Sequence, residues 1–214
     1  MNSIFVCNKY LQDLLRVYVR QPISILRTPI SSLKFRPTKK KKRIVAIGKI
    51  CVEKNILDII ELFKLLPDDW EKIYIGNAEL WYAQSKPIDK VLEGQIKNVC
   101  DWYPSMSANQ VADIASSTFG YVNMARYDVG CLSFLEFAMA GCHSFCWQFH
   151  PMFDEYKNVH RFTNSEHAVK AITDQASEGL SRNQQLREEM IDLHSFESFR
   201  EQLSQLTIEV NNAN

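Results

Sequence analysis

The chain has 214 residues, 46% of them hydrophobic and 23% charged, which is apolar material enough for a sizeable buried core and too much for a disordered chain. Twenty-five lysines and arginines balance twenty-five aspartates and glutamates, which excludes a surface built throughout for nucleic acid but leaves room for a local basic patch. No apolar run approaches the ~20 residues of a membrane span, and Asn8, Lys9 and Gln12 interrupt the first run too early for a secretory signal, so a cytoplasmic location is expected.

Residues 3–7, SIFVC, read as a short buried strand, and Tyr10, Leu14, Leu15 and Tyr18 as one face of a helix. A second apolar run, ISILRTPI, ends at Pro29, and KFRPTKKKKR (34–43) then breaks the composition as a solvated linker or a contact for a polyphosphate backbone. From Arg43 an alternation begins. RIVAIG predicts a strand, Ile56, Ile59, Ile60 and Phe63 a helix closing near Pro67, and WEKIYIG a second strand ending in glycine. IKNVCDW reads as a third strand, Val111, Ile114 and Ala115 as a helix, FGYVNM as a fourth strand, SFLEFAMAG as a helix and CHSFCWQF as a fifth strand. Residues 181–208 read as one or two helices with Leu186, Met190, Leu193, Phe196, Leu203 and Leu206 in a stripe.

Short apolar strands alternating with helices predict an α/β, Rossmann-like, doubly wound parallel sheet with C-terminal helices. Ligands of such sheets bind at the carboxyl ends of the strands, here Gly48-Lys49, Gly76-Asn77, Asp101-Trp102, Asn123-Met124 and the residues after Phe149. Six cysteines without a C-x-x-C pair suit buried thiols, and Cys142, His143, Cys146 and His150 alternate in a strand-like run, which argues against a metal site.

Two features on that rim carry chemistry. Lys49 and Lys54 lie in the first strand–helix loop, GKICVEKN, as solvated lysines or as a pair neutralising a diphosphate. Asp128 and Glu136 flank the start of a helix, and Ser133-x-x-Glu136 reads as a capping box. The competing reading has the helix start receiving a phosphate while the acids grip hydroxyls. Neither G-x-x-x-x-G-K-[ST] nor G-x-G-x-x-G is present.

The order strand-Gly-Lys49-x4-Lys54, a middle strand ending IYIGN, then Asp128-x7-Glu136-x4-Gly141 resembles the C-terminal, donor-binding half of retaining GT-B glycosyltransferases. The resemblance implies that residues 1–40 are the end of an acceptor domain plus the basic linker, 41–180 a nucleotide-sugar-binding domain and 181–214 a helical segment. It implies that Lys49 and Lys54 hold the diphosphate of a nucleotide-sugar donor and stabilise its departing charge. Asp128 stands where glutamate is usual, near the transferred sugar; Glu136 would take the ribose hydroxyls; the N–H groups of Gly130, Cys131 and Leu132 would face the diphosphate; Asp101 and Trp102 would border the base. No metal is required if lysines and amides carry the phosphate charge. A second chain or a homo-oligomer would supply the acceptor domain. FGYVNM with SFLEFAMAGCHSFCW is further similar to phage α-glycosyltransferases acting on hydroxymethylcytosine in DNA, which makes nucleic acid an acceptor to consider. The alternatives are a non-catalytic nucleotide-sugar-binding module and a nucleic-acid binder using the basic run.

Overall fold

The computed structural model describes residues 4–79, 86–126, 128 and 130–212. Its centre is a six-stranded sheet of β3 (Lys41–Ile47), β4 (Glu71–Ile75), β5 (Asp101–Tyr103), β6 (Thr118–Asn123), β7 (His143–Trp147) and β8 (His160–Phe162), in the order β5-β4-β3-β6-β7-β8. Every pairing is parallel. The chain therefore winds outward from β3 to β5, returns to the other side of β3 as β6, and winds outward again. The doubly wound parallel sheet predicted from the sequence is the one observed.

Helices α2 (Ile56–Leu65), α3 (Pro87–Lys97) and α6 (Ser165–Ser177) cover one face, and α4 (Ala108–Ser117), α5 (Leu132–Met139) and α7 (Gln184–His194) the other. A buried cluster lies against each face, one around Phe63, Phe119 and Phe145 and one around Tyr121, Phe134 and Phe137. Burial on both sides is why the strands read as apolar runs. The third predicted strand is displaced: Ile96 and Lys97 of IKNVCDW end α3, and only Asp101 and Trp102 reach β5. Ile96 shares a buried helix face with Leu92, four residues earlier, so its apolarity serves the helix.

Before the sheet, β1 (Ile4–Val6), α1 (Lys9–Arg16) and β2 (Ile23–Ile25) form a parallel two-stranded unit. The segment that follows is anchored to the core. Ile30 and Phe35 are buried, Ile30 N–H donates to the His194 carbonyl (2.7 Å), and Arg27 pairs with Glu155 at 2.8 Å. The basic run is exposed at Lys34, Arg36, Lys39, Lys41 and Lys42, but it is not solvated throughout. Lys40 is 4% exposed, and Lys42 and Arg43 pair with Asp69 and Glu71. The Lys40 ammonium donates to the carbonyls of Ala140 (2.8 Å), Ser116 (3.1 Å) and Ala115 (3.4 Å), where α4 and α5 end. The C-terminal stripe divides likewise: Leu186 and Met190 are buried in α7, whereas Phe196 and Leu203 of α8 (Phe196–Asn212) are exposed.

Gly76, at φ 143°, packs against the turn after β3; a Cβ there would meet the Gly48 carbonyl oxygen at 1.9 Å. Gly76→Ala is expected to lower thermal stability by more than the ~1 kcal/mol that an unstrained replacement of glycine by alanine can gain, because backbone must move. A melting temperature unchanged from wild type would contradict that close approach.

Burial also lowers the pKa of His143 and His194, each to about 4, with the His160 ring adding to the effect on His143. His143 and His160 share a hydrogen bond of 3.3 Å, which two imidazolium rings could not. Since the unfolded side chains titrate near 6.5, the unfolded state binds more protons between about pH 6.5 and pH 4. Stability is therefore expected to fall as pH drops through that window, by on the order of 2 kcal/mol per histidine at pH 5. Denaturant midpoints at pH 7 and pH 5 check it; equal midpoints would refute it.

Candidate functional site

The winding reverses between β3 and β6, so their carboxyl ends border the crevice where open α/β sheets bind ligands. The loop after β3 carries Lys49 and Lys54; the loop after β6 carries Asp128, Gly130 and Cys131. These loops meet. Lys54 Nζ lies 2.6 Å from Asp128 Oδ2, and Arg126 N–H donates to the Glu53 carbonyl at 3.0 Å.

Asp128 does more than pair with Lys54. Its Oδ1 accepts from Cys131 N–H at 3.1 Å and Gly130 N–H at 3.4 Å, so the carboxylate sits in the amide nest before α5. Burial would raise its pKa, but the Lys54 ammonium and the two amides outweigh that and hold it below the usual aspartate range. An anion thus already occupies the helix start, and it is the protein's own.

Cys131 caps α5 with φ 29°, a rare conformation for a side-chain-bearing residue. Its thiol lies under Asn123, whose Nδ2 donates to Cys131 Sγ at 2.8 Å, while Asn123 Oδ1 accepts from Ala125 N–H. Leu132 opens the helix half exposed. The capping box predicted from Ser133-x-x-Glu136 does not form. Ser133 is already helical and shares a 2.8 Å hydrogen bond with the Tyr121 hydroxyl, because the reversed φ at Cys131 starts the helix two residues early. Glu136 is left half-buried without a hydrogen-bond partner among the described residues, and burial raises its pKa against the pull of Lys34.

The remaining predicted positions divide. Lys49 is half-buried on the rim with no ion pair among the described residues, which leaves its ammonium available. Asp101 begins β5 level with Ile73, two residues short of the strand's carboxyl end, and is exposed. Trp102 is engaged structurally: its indole N–H donates to the Gly76 carbonyl at 2.8 Å and Lys97 covers its ring at 3.8 Å. Sequence reasoning weighed His150 only as a disfavoured metal ligand and gave it no role on the rim, where it follows β7 at 1% exposure. Its position after the apolar CHSFCWQF run was the available signal. Among the described residues no three His, Cys, Asp or Glu side chains cluster as metal ligands, and no helix is long and apolar enough to cross a membrane.

No protein-family model matches the sequence, and no curated protein matches it. Solved structures do. Sucrose-phosphate synthase from Thermosynechococcus elongatus superposes over 99% of this chain and 59% of its own, with TM-score 0.81 and 14% identity. Anabaena HepE, solved with UDP and glucose, superposes over 95% of this chain and 62% of its own, with TM-score 0.78 and 10% identity. A GtfA/B complex matches over 99% and 46%, with TM-score 0.71 and 13% identity. The chain spans less than two thirds of the length of each. Its fold is the one these GT-B glycosyltransferase structures contain, a Rossmann-like half with the adjoining segments.

Proposed function

We propose that this chain is the donor-binding half of a retaining glycosyltransferase, moving a sugar from a nucleoside diphosphate to an acceptor hydroxyl. The observation that carries the reading is the Lys54–Asp128 pair closing over the Gly130 and Cys131 amides at the switch point of the sheet. A cation, two convergent N–H groups and a helix start form an anion site, and a carboxylate already sits in it.

In the proposed reaction the diphosphate takes the place of Asp128, receiving Lys54, the two amides and the uncommitted Lys49. Released from the nest, Asp128 accepts hydrogen bonds from hydroxyls of the transferred sugar. Glu136, half-buried and unpartnered, accepts from the ribose. The bond from the anomeric carbon to the phosphate oxygen breaks and one to the acceptor oxygen forms on the same face. The acceptor proton passes to the departing phosphate. Lysines and amides stabilise the charge that grows on it, and no metal is needed for that.

The acceptor half is a second α/β unit, preceding this segment or in a separate chain. What supports this is the β1–α1–β2 unit, since a two-stranded parallel sheet is marginal alone and parallel sheets are normally covered on both faces. One structural neighbour is itself a complex of two chains. The likeness to phage DNA-modifying enzymes rests on FGYVNM and its helix. Of the basic run that would meet DNA, Lys40 is buried and Lys42 and Arg43 pair with Asp69 and Glu71, while Lys34, Arg36, Lys39 and Lys41 are exposed.

Calorimetric titration with UDP, GDP and ADP and their sugar conjugates tests the reading. One of them should bind, and Glu136→Ala should weaken it roughly tenfold or more, the worth of hydrogen bonds to a charged acceptor. Failure of every nucleotide to bind the wild-type chain would contradict the proposal.

A further inference from the structure

We infer that His150 is a sugar-binding residue of this site, its Nε2–H a pre-set hydrogen-bond donor to a hydroxyl of the transferred sugar. This rests on reading the Lys54–Asp128 site as a donor site.

His150 stands where β7 ends, beside β6, and is 1% exposed. Its ring is fixed from three sides. Nδ1 accepts from Met152 N–H at 3.2 Å, the Phe153 ring lies 5.1 Å away, and the Tyr10 ring of α1 meets it edge-on at 6.2 Å. Its carbonyl is held by Arg161 Nη2 at 3.0 Å. Phe153 in turn packs at 5.0 Å on Phe134, in the first turn of α5. The imidazole is thereby tied to the same helix start that carries the amide nest.

Because Nδ1 spends its lone pair on Met152, the neutral ring carries its proton on Nε2. That N–H is buried and has no partner among the described residues. A desolvated orphan donor is unfavourable, and folds keep few of them without a use. The ring stays neutral: burial lowers its pKa, Lys54 and Arg161 push the same way, and Asp128 opposes them. Lys54 and Asp128 are the charges of the site itself, so the imidazole lies in the field of the ion pair.

The strand order says which part of the ligand it meets. Along β3-β6-β7 come Lys54, then Asp128, then His150. A diphosphate held by the lysines and the nest leaves Asp128 and His150 on its far side, where the sugar projects. A carboxylate that accepts and a neutral imidazole that donates are the two complementary partners a hydroxyl can use at once.

Calorimetry on wild type, His150→Phe and His150→Gln, with each nucleoside diphosphate and its sugar conjugate, tests this. His150→Phe is expected to weaken the nucleotide sugar about tenfold while leaving the parent diphosphate within about twofold, and His150→Gln, which restores a donor, should recover most of the loss. In the wild-type protein the His150 Nε2–H proton resonance should move downfield with the nucleotide sugar and stay in place with the diphosphate. That shift decides the matter should His150→Phe fail to fold. Unchanged nucleotide-sugar binding in a folded His150→Phe, equal loss of both ligands, or an unmoved resonance would overturn the inference alone. Absence of nucleotide-sugar binding in wild type would sink the reading of the site together with it.

Discussion

Lys54→Ala should weaken nucleoside-diphosphate binding roughly ten- to a hundredfold, since one charge-assisted contact to phosphate is worth about 1.5–3 kcal/mol. The substitution has two consequences that separate it from loss of a solvated lysine. It removes a cation from the phosphate, and it leaves Asp128 partly buried with only the Cys131 and Gly130 amides to stabilise its charge. Carboxylate titration of the empty protein should therefore show the Asp128 pKa rising towards, or above, the usual aspartate range. In the wild type the pair contributes stability above the unfolded aspartate pKa, and that contribution is lost as pH falls through the lower folded value. Lys54→Arg keeps the charge and should retain most of the affinity. Nucleotide binding untouched by Lys54→Ala would remove the lysine from the site.

The second large effect lies away from the chemistry. Lys40→Met should destabilise the fold by about 1–3 kcal/mol, because it leaves the Ala140 carbonyl at the end of α5 without a donor and takes one donor from the Ser116 and Ala115 carbonyls at the end of α4. The stem stays buried; only the ammonium is lost. The acceptors are the carbonyls of Ala140, Ser116 and Ala115. Burial lowers the Lys40 pKa, while the Cys142 thiol works in the other direction. The unfolded lysine therefore holds its proton to higher pH than the folded one, so wild-type stability should gain from this group as pH climbs from the folded value towards the unfolded one. Lys40→Met should abolish that gain, which chemical denaturation across the alkaline range reads directly. A variant as stable as wild type would mean that the carbonyls find other donors.

Sequence reading reaches the sheet more fully than it reaches single side chains. The strands from Arg43 onward were legible because both faces of a parallel sheet are buried, so apolar runs ending in glycine stand out. Lys49, Lys54, Asp128 and Glu136 stand out as candidates because each follows a strand of the sheet, and the structure brings Lys54 and Asp128 together across the switch point. Lys40 was not legible: in KKKKR every lysine looks alike, and only the approach of α4 and α5 makes one of them interior. The capping box failed for a related reason. A reversed φ at Cys131 leaves no mark in an apolar sequence, yet it shifts the helix start and hands Ser133 to Tyr121. α3 could have been found from Pro87 at its first turn and Asp89 two residues later, whose carboxylate accepts from Lys86 N–H at 2.9 Å. The apolar IKNV instead imitated a strand.

A crystal structure of the chain with its nucleoside diphosphate bound would test the site most directly. The expected result is a phosphate oxygen within hydrogen-bond reach of Lys54 Nζ and of the Gly130 and Cys131 amides, with the Asp128 carboxylate swung out of the nest. A diphosphate bound elsewhere, with Lys54 and Asp128 still paired at 2.6 Å, would contradict it.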